Sequence, residues 1–348
     1  MGGRSSKSNK PDHVNYMEDI EQSCYEDKTI LHEGPIHSIC SVNENLMLSG
    51  GADKKVLLYN WSDEAVVGKY KGPEKDITQV ISTEPSAVLA SSRDHNIYMW
   101  HMASTASSIV GDDSVQPLSS YRGHSLAVTA IACCPVHQHL LCSGSRDNSV
   151  RVWNMPTRRS VAVMEIPRNL VTGLKWIGTE MSILQSSEDK ILRVWDLRTN
   201  SLAQQFPTKT NVQTSCDVSH DCNYFLSTSA GSAGVGAEIS LWDRRQTKLL
   251  DEYRGHRETV TSAIFMPIKN ELELIASSSN DSTVKLWSRH TKVCTHNQHI
   301  PDAGPLLSLA APLHSTIAFS SFRSGIQVWT FQAQQHAVNC GLHQLRRY

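Results

Sequence analysis

Three features that would place this 348-residue chain in a specialised class are missing from it. No stretch approaches the 18 or more consecutive apolar residues of a membrane-spanning helix. The 33 lysines and arginines are balanced by 34 aspartates and glutamates, which leaves a formal net charge of −1. The chain therefore lacks the positive field of a general nucleic-acid binder. No apolar segment of the signal-peptide type follows the first residues, so we expect a globular protein of the cytoplasm.

Paired cysteines are also missing. The nine cysteines are odd in number and include no Cys-x-x-Cys spacing. This pattern indicates neither a disulfide framework nor a zinc site, and it is typical of reduced thiols that pack as small apolar groups. The sequence therefore predicts no metal ion and no cofactor.

What the sequence does contain is a short apolar segment repeated seven times: LLYNW, YMWHM, VRVWN, LRVWD, SLWDR, VKLWS and IQVWT. Its aromatic residue recurs at intervals of about 40 to 55 residues, at Tyr59, Trp100, Trp153, Trp195, Trp242, Trp287 and Trp329. An interval of this length is typical of a propeller blade.

Each repeat contains the strands of one small sheet. In HLLCSGSRDNSVRVWN, one alternating strand ends near Ser143, a tight turn follows around Asp147, and a second strand runs to Trp153. A further strand follows each Gly-His pair, as in GHSLAVTAIACC, and the last lies between the aromatic and the next such pair. Stacking these units in a ring buries both faces of every sheet. The sequence therefore predicts an all-β, single seven-bladed propeller.

The pattern resembles the WD40 repeat over residues 28–331. In that family a His, a Ser or Thr, an Asp and a Trp of one blade form a hydrogen-bonded tetrad. The resemblance implies two complete tetrads, His124, Ser143, Asp147 and Trp153 in the third blade and His256, Ser277, Asp281 and Trp287 in the sixth. It also implies turn aspartates in three other blades, at Asp53, Asp94 and Asp189.

Two repeats depart from the pattern. Where the aspartate is expected, the fifth has Gly236 within a glycine-rich run and the seventh has Arg323. The run does not match G-x-G-x-x-G, which favours a long turn over a dinucleotide-binding loop. We divide the chain into an N-terminal tail (1–27), the propeller (28–331) and a C-terminal tail or closing strand (332–348). Either residues 28–31 (KTIL) or the C-terminal AVNCGLH could complete the last blade.

The repeated His, Ser and Asp do not indicate a hydrolase, because a catalytic triad is usually built once in a protein. The innermost strands, such as AIACC and LLSLA, appear apolar and small from sequence, so we expect no enzyme and no small-molecule substrate. We expect instead a monomeric scaffold that binds other proteins. The residues that precede the turn aspartates would project from one rim, with Arg323 added by the last blade: Arg93, Arg146, Glu188, Asn280 and Arg323. Their partly basic character suits an acidic protein surface.

The opening MGGRSSKSNK fits the N-myristoylation pattern, with Gly2 as the acceptor, Ser6 at the hydroxyl position and Lys7 after it. One myristoyl chain binds a membrane only marginally, so a second signal is needed. Arg4, Lys7 and Lys10 would supply part of that signal on an anionic leaflet. We therefore expect reversible attachment to a membrane surface through the N-terminus.

The chain is also similar to a ciliary member of the WD40 family. That resemblance implies a place at the cilium or its base, and a role in intraflagellar transport and ciliary trafficking with regulators of small GTPases as partners. The alternative is a soluble adaptor or substrate receptor of a multiprotein complex without a lipid anchor. An unmodified N-terminus would favour this alternative.

Overall fold

The computed structural model describes residues 32–83, 87–102, 114–137, 139–267, 273–313, 315–323, 325–331 and 342–347. The predicted N-terminal tail, its lipidation and membrane-binding residues, and the candidate strand at residues 28–31 all lie outside this part of the chain. Within the described residues, no helix is long and apolar enough to cross a membrane.

The chain folds into seven four-stranded antiparallel sheets, each made of four consecutive strands, which we call blades one to seven. Blade one contains β1 (Ile36–Ser41), β2 (Leu46–Gly51), β3 (Val56–Asn60) and β4 (Ala65–Tyr70). Blade two contains β5 (Ile77–Thr83), β6 (Ala87–Ser92), β7 (Ile97–His101) and β8 (Ser119–Tyr121). Blade three contains β9 (Val128–Cys133), β10 (Leu140–Ser145), β11 (Ser149–Asn154) and β12 (Arg159–Glu165). Blade four contains β13 (Val171–Trp176), β14 (Ser182–Ser187), β15 (Arg193–Asp196) and β16 (Ser201–Gln205).

The remaining three blades continue in the same order. Blade five contains β17 (Gln213–Val218), β18 (Tyr224–Ser229), β19 (Glu238–Asp243) and β20 (Lys248–Arg254). Blade six contains β21 (Val260–Phe265), β22 (Leu274–Ser279), β23 (Thr283–Ser288) and β24 (Cys294–His299). Blade seven contains β25 (Leu306–Leu313), β26 (Thr316–Ser321), β27 (Ile326–Phe331) and β28 (Leu342–Arg347). The first strands of successive blades contact one another, and β25 contacts β1, which closes the ring and confirms the predicted fold class.

The turn between the second and third strands shows why an aspartate recurs there. The Asp147 carboxylate accepts the Ser149 amide proton at 3.0 Å, and Asn148 between them has a φ of 70°. Asn tolerates this left-handed conformation better than most residues. The residue after the turn aspartate has φ between 62° and 75° in four other blades as well, at Lys54, His95, Lys190 and Ser282. The aspartate thus holds a backbone shape that the following side chain alone would not favour.

A threonine joins most neighbouring blades. The second residue of the first strand is threonine in five blades, and each hydroxyl donates to the first carbonyl of the next blade. The donor and acceptor pairs are Thr78 to Val128 (2.5 Å), Thr129 to Val171 (2.6 Å), Thr172 to Gln213 (2.8 Å), Thr214 to Val260 (2.5 Å) and Thr261 to Leu306 (2.7 Å). These bonds link blades two to seven in one continuous series.

The two junctions of blade one are built differently. His37 and Leu307 occupy the threonine position in blades one and seven. Here a serine in the first strand of one blade accepts an amide proton from the next, as Ser308 does from Ile39 at 3.2 Å and Ser38 from Val80 at 3.1 Å. Apolar clusters still fill both junctions. The polar links at blade one are therefore longer and reach different backbone groups.

The strand that completes blade seven is β28, near the C-terminus. Of the two termini that the sequence leaves open, the structure places the C-terminal one beside β27. The strand begins at Leu342, inside the AVNCGLH segment considered from sequence, and continues past its end. Because all four strands of blade seven are consecutive, no strand is exchanged between the first and last blades among the described residues.

Candidate protein-interaction surface

The tetrad of blade three forms one chain of hydrogen bonds from tryptophan to aspartate. The Trp153 indole donates to the Ser143 hydroxyl at 2.7 Å, and that hydroxyl contacts His124 Nε2 at 2.7 Å. His124 Nδ1 then contacts the Asp147 carboxylate at 2.8 Å. A neutral histidine satisfies every step, since Nε2 accepts from serine and Nδ1–H donates to aspartate. Burial lowers the pKa of His124, which favours this neutral form.

Blade six repeats the arrangement. Trp287 donates to Ser277 at 2.8 Å, and His256 lies 2.8 Å from the same hydroxyl and 3.2 Å from Asp281. Burial lowers the pKa of His256 as well. Although burial would raise the pKa of Asp281, hydrogen bonds from His256 and Thr283 lower it overall.

Blade one contains a related set that was missed from sequence. His32 contacts Asp53 at 2.9 Å and Ser49 at 2.9 Å. The sequence there reads LHEG instead of the Gly-His pair, so the motif signal was absent. The spacing of 21 residues between His32 and Asp53, close to that of the complete tetrads, would have found it.

Blades two and four hold their aspartates without histidine. Asp94 accepts the Tyr98 hydroxyl proton at 3.0 Å. In blade four, Asp189 pairs with the buried Arg193 at 2.6 Å. Trp195 donates to Gln185 at 2.6 Å, and Gln185 in turn contacts Asn169. An amide chain thus replaces the Ser–His pair.

Blades five and seven lack the aspartate, as their sequences indicate. In blade five, Trp242 still donates to Ser227 at 2.9 Å. Gly236 accepts a hydrogen bond from Ser229 through its carbonyl and has a φ of 80°, so it shapes the long turn. In blade seven, Trp329 donates to Gln327 at 3.0 Å, and Arg323 is exposed.

These arrangements define what the tetrads can do chemically. The side chains of His124 and Asp147 are 1% and 6% exposed, and their polar atoms already have partners within the blade. A substrate would have to displace those partners to reach them. The tetrads therefore stabilise turns and strands and leave the turn surface free for other contacts.

The rim is formed by the residue that follows the second strand of each blade. Its amide proton is donated to the loop before the first strand, as from Arg93 to Asp76 at 3.0 Å and from Arg146 to Ala127 at 3.1 Å. The seven rim positions are Ala52, Arg93, Arg146, Glu188, Ala230, Asn280 and Phe322. The repeated backbone bond fixes these positions while the side chains vary.

The predicted basic rim is largely neutralised in the structure. The Arg93 guanidinium lies 3.2 Å from Asp76, and Arg146 lies 3.0 Å from Glu188 of the next blade. Both arginine side chains are still at least half exposed. Exposed ion pairs of this kind contribute about 0 to 1 kcal/mol, so a partner carboxylate could replace the internal one at little cost.

Two exposed apolar residues on the same rim were missed from sequence. Phe322 occupies the rim position of blade seven, which places Arg323 one residue further, at the position of the turn aspartate. Phe322 is 50% exposed and Leu126, just after His124, is 48% exposed. Aligning SSFR of blade seven with SGSRD of blade three would have identified Phe322. The rim thus combines arginines with apolar anchors, a composition that is common in binding surfaces.

The central channel is more polar than its short sequence patterns suggested. It encloses about 480 Å³ and contains Lys175 of β13 and Asp217 of β17, whose charged atoms lie 3.0 Å apart. Asp217 raises the pKa of Lys175, which favours the charged form of the lysine. Asp217 also accepts the Phe265 amide proton of blade six at 2.9 Å. We interpret the pair as a link between blades, and the described residues contain no cluster of three potential metal ligands.

Comparison with known sequences bears on this architecture. The profile of the WD domain, G-beta repeat family matches residues 115–154 and 247–288. These two ranges contain all residues of the complete tetrads in blades three and six. Periodic tryptophan protein 2 of Arabidopsis thaliana is 28% identical over 233 residues, or 62% of this chain and 24% of that protein. Pre-mRNA-processing factor 19 of Bos taurus is 25% identical over 65% of this chain and 34% of its own length. The ribosome biogenesis protein WDR12 homolog of Nematostella vectensis is 25% identical over 78% of this chain and 70% of its own length.

The seven-bladed ring and its tetrads define a β-propeller of the kind that serves as an interaction scaffold. Two of the chain's seven blades match the WD40 repeat family, and the relatives it resembles include WD-repeat proteins. It spans about a quarter to a third of the first two relatives, so their activities as whole proteins do not transfer to it.

Proposed function

We propose that this protein is a non-catalytic scaffold that binds a partner protein through the rim around Arg93, Arg146, Leu126 and Phe322. The observation that carries the proposal is the contrast between buried and exposed polar groups. The His, Ser and Asp groups of the tetrads are buried and satisfied, whereas the arginines of the rim are exposed. A partner can therefore contact the rim without disturbing the blades.

The chemistry of the rim favours a partner surface that carries both carboxylates and an apolar group. A guanidinium bound to one carboxylate retains further N–H donors for a second acceptor. Leu126 and Phe322 offer exposed apolar area that a partner can bury beside the arginines. No nucleic-acid role is proposed, because the net charge of −1 supplies no positive field.

The test is a double charge reversal, Arg93→Glu with Arg146→Glu. We expect partner capture from cells, measured by quantitative proximity labelling, to be lost while the melting temperature changes little. Arg198→Glu is the matched control, because Arg198 is exposed and pairs with Asp196 in a turn at the opposite end of the strands. Equal labelling by wild type and the double variant would refute the rim as the binding site.

We also propose that the N-terminus attaches the scaffold reversibly to a membrane. The support is the sequence pattern at Gly2, Ser6 and Lys7 and the basic residues Arg4 and Lys10. Mass spectrometry of the N-terminal peptide should find one myristoyl group, and a Gly2→Ala variant should leave the membrane fraction. A free or acetylated Gly2, with unchanged fractionation of the variant, would favour the soluble adaptor instead.

The proposal also includes a cellular setting. Sequence resemblance favours the cilium or its base and partners among regulators of small GTPases. A fluorescently tagged chain in ciliated cells should concentrate there, and its rim variant should lose the regulators from its labelled neighbours. Uniform cytoplasmic signal with nuclear or ribosomal partners would point to the relatives' processes instead.

A further inference from the structure

Blade five lacks the tetrad histidine and aspartate, and a lysine takes the place of the histidine. Lys209 lies four residues before the first strand of its blade, as His124 and His256 do in blades three and six. Its ammonium group contacts the carboxylate of Glu238, the first residue of β19, at 2.8 Å. The equivalent contact in blade three joins His124 to Ser149 at 3.2 Å. A buried lysine–glutamate pair thus stands where the complete tetrads have a histidine and a hydroxyl.

The glycine-rich turn of blade five leaves a cavity beside this pair. The cavity encloses about 570 Å³ and is bounded by residues 208–211, by the turn residues 234–238 and by part of β20. A Cβ on Gly236 would lie 2.4 Å from the side-chain amide of Asn211, so the turn fits here because this residue is glycine. Val235 of the same turn is 77% exposed. The cavity therefore reaches the protein surface at the rim.

Two carboxylates that line the cavity are held from the inside by Lys209. Its ammonium group contacts Glu238 Oε1 and Glu252 Oε1. The side chains of Lys209 and Glu238 are 9% and 8% exposed, and that of Glu252 is 22% exposed. Burial would raise the pKa of Glu252, but hydrogen bonds from Lys209 and Arg254 lower this pKa overall, which favours the charged carboxylate. A buried cation thus fixes both carboxylates in place.

The outer oxygens of the same carboxylates bind an arginine from the last strand of the blade. Arg254 Nε lies 3.2 Å from Glu238 Oε2, and Arg254 Nη2 lies 2.6 Å from Glu252 Oε2. One guanidinium thus spans both carboxylates with its fork of N–H donors. The Arg254 side chain is 72% exposed, and exposed ion pairs are weak. The chain's own guanidinium therefore shows which group the two carboxylates accept, and an incoming group can displace it.

The charges of the lining argue against an anionic ligand. Lys209 and Arg254 are both paired with carboxylates, so the described residues of the cavity offer no free cation to a phosphate. The Gly234 amide of the turn donates to the Arg257 carbonyl of blade six at 2.7 Å, so it is not free to bind an anion either. A basic group can instead exchange with Arg254 and leave the charge of the cavity unchanged.

We propose that Glu238 and Glu252 bind an arginine side chain of a partner protein, which replaces Arg254 between the two carboxylates. Arginine fits better than lysine because its planar fork reaches both outer oxygens at once. The exposed Val235 beside the site offers an apolar contact to the residues that flank the incoming arginine. The site lies in blade five, apart from the rim arginines of blades two and three. A partner that uses both places must carry an arginine and carboxylates at separate positions, which fixes its orientation on the ring.

The experiment measures binding of N-acetylarginine amide to the full chain by ligand-observed NMR titration. Arg254→Ala frees the outer oxygens of Glu238 and Glu252 without touching Lys209. Wild type should bind the probe saturably, and the variant should bind it at least tenfold more tightly, because the chain's own guanidinium no longer competes. The probe should also raise the melting temperature of the variant more than that of wild type.

Two probes and one variant test the chemistry of the site. N-acetylcitrulline amide has nearly the shape of the arginine probe without its charge and should bind neither protein. N-acetyllysine amide should bind Arg254→Ala more weakly than the arginine probe, because one ammonium cannot span both carboxylates. Adding Glu252→Gln to Arg254→Ala should weaken binding of the arginine probe at least tenfold, since it removes one of the two charges.

Two control proteins separate this site from other surfaces. Arg245→Ala removes an arginine that is 69% exposed and pairs with Asp243 at the opposite end of the strands, and it should bind the probe as wild type does. The double variant Arg93→Glu with Arg146→Glu should also bind the probe normally, so a failure of the rim proposal leaves this result intact. The proposal is overturned if wild type shows no saturable binding, if Arg254→Ala binds no more tightly, or if citrulline or lysine probes bind as well as the arginine probe.

Discussion

The junctions between blades two and seven differ from the two junctions of blade one. At each junction from blade two to blade seven, a threonine hydroxyl donates to a carbonyl of the next blade at 2.5 to 2.8 Å. In blades two, four, five and six, the same hydroxyl also contacts a Ser or Thr hydroxyl of its own blade. Between blades seven and one, the Ile39 amide donates to the Ser308 hydroxyl at 3.2 Å. Apolar packing is present at both kinds of junction. A ring of similar blades can thus differ from one junction to the next in its polar links, because single residues set them.

The junction between blades one and two has an additional link at its outer edge. Val115, which precedes the last strand of blade two, donates to the Lys69 carbonyl at 2.8 Å and accepts from the Lys71 amide at 3.2 Å. Blade one is thus connected to blade two by backbone bonds. Among the described amide bonds between first strands, the longest therefore lies between blades seven and one, and we expect this junction to open first.

The largest effect should come from matched glycine substitutions at two junctions. A Cβ on Gly144 would lie 2.3 Å from Val171 of blade four, and one on Gly50 would lie 2.5 Å from Ile77 of blade two. We expect Gly144→Ala to cost about 2 to 3 kcal/mol, because the threonine links hold blade four in place. Gly50→Ala should cost clearly less, because blade one can shift toward its weaker side. If urea unfolding shows that both variants lose the same free energy of unfolding, the two junctions do not differ in the way described.

Removal of one threonine link should have the next largest effect. Thr214→Val deletes the bonds to the Val260 carbonyl at 2.5 Å and to the Thr228 hydroxyl at 2.6 Å, with little change in shape. We expect a loss of about 1 to 2 kcal/mol in the free energy of unfolding. Thr199→Val, in an exposed turn, is the control and should be nearly neutral. A neutral Thr214→Val would show that the links are dispensable.

A threonine link can also be added where it is missing. Leu307 occupies the threonine position of blade seven, and the Ser320 hydroxyl is buried with no hydrogen-bond partner among the described residues. Leu307→Thr should bond both Ser320 and the first carbonyl of blade one, and it should stabilise the protein by about 0.5 to 1 kcal/mol. Calorimetry should be done on Leu307→Thr and on Leu307→Val. The difference between their stabilities gives the effect of the hydroxyl, because both variants change the side-chain volume similarly. A less stable threonine variant would contradict this account of the junction.

The remaining effects concern pH and separate the blades from their junctions. The folded-state pKa values of His124 and His256 lie below the ordinary value, so stability from these groups is complete above about pH 6.5 and decreases as the pH falls below it. Each group contributes at most about 1.4 kcal/mol per pH unit. Acid should therefore lower the opening free energies measured by amide exchange in blades three and six before those in blade four, whose tryptophan is held by Gln185. A His124→Gln variant that keeps the full acid response of blade three would count against this.

A second acid step should follow at lower pH. Burial would raise the pKa of Asp147, but hydrogen bonds from Ser149 and His124 lower this pKa to about 2. A depressed carboxyl pKa gives stability that is present above the unfolded value of about 3.9 and is lost as the pH falls toward 2. Asp147→Asn should remove this step from an acid-unfolding curve.

Sequence alone was sufficient for the repeated part of the fold. Hydrophobic alternation and the recurring aromatic locate the blades, and the Asp-turn spacing points to Asp53, Asp94, Asp147, Asp189 and Asp281, each of which lies in the expected turn. The complete tetrads were visible because both carry the Gly-His pair. His32 was not, because LHEG breaks that motif while keeping the contact.

Contacts between blades were beyond sequence reasoning. Nothing in the spacing of Arg146 and Glu188, or of Lys175 and Asp217, shows that neighbouring sheets bring them within 3.0 Å. Phe322 was missed because blade seven lacks the aspartate that sets the alignment.

The most direct test of the weaker junction is hydrogen exchange at four amides that bond across blades. Two of these bonds flank blade one: Ile39 donates to Ser308 between blades seven and one, and Val80 donates to Ser38 between blades one and two. The other two lie elsewhere in the ring: Ile131 donates to Gln79 between blades two and three, and Phe265 donates to Asp217 between blades five and six. Native-state exchange reports the free energy of opening at each site. The account predicts that Ile39 exchanges with the lowest opening free energy and that Ile131 and Phe265 exchange with the highest. Protection of Ile39 equal to that of Phe265 would contradict a ring that opens between blades seven and one.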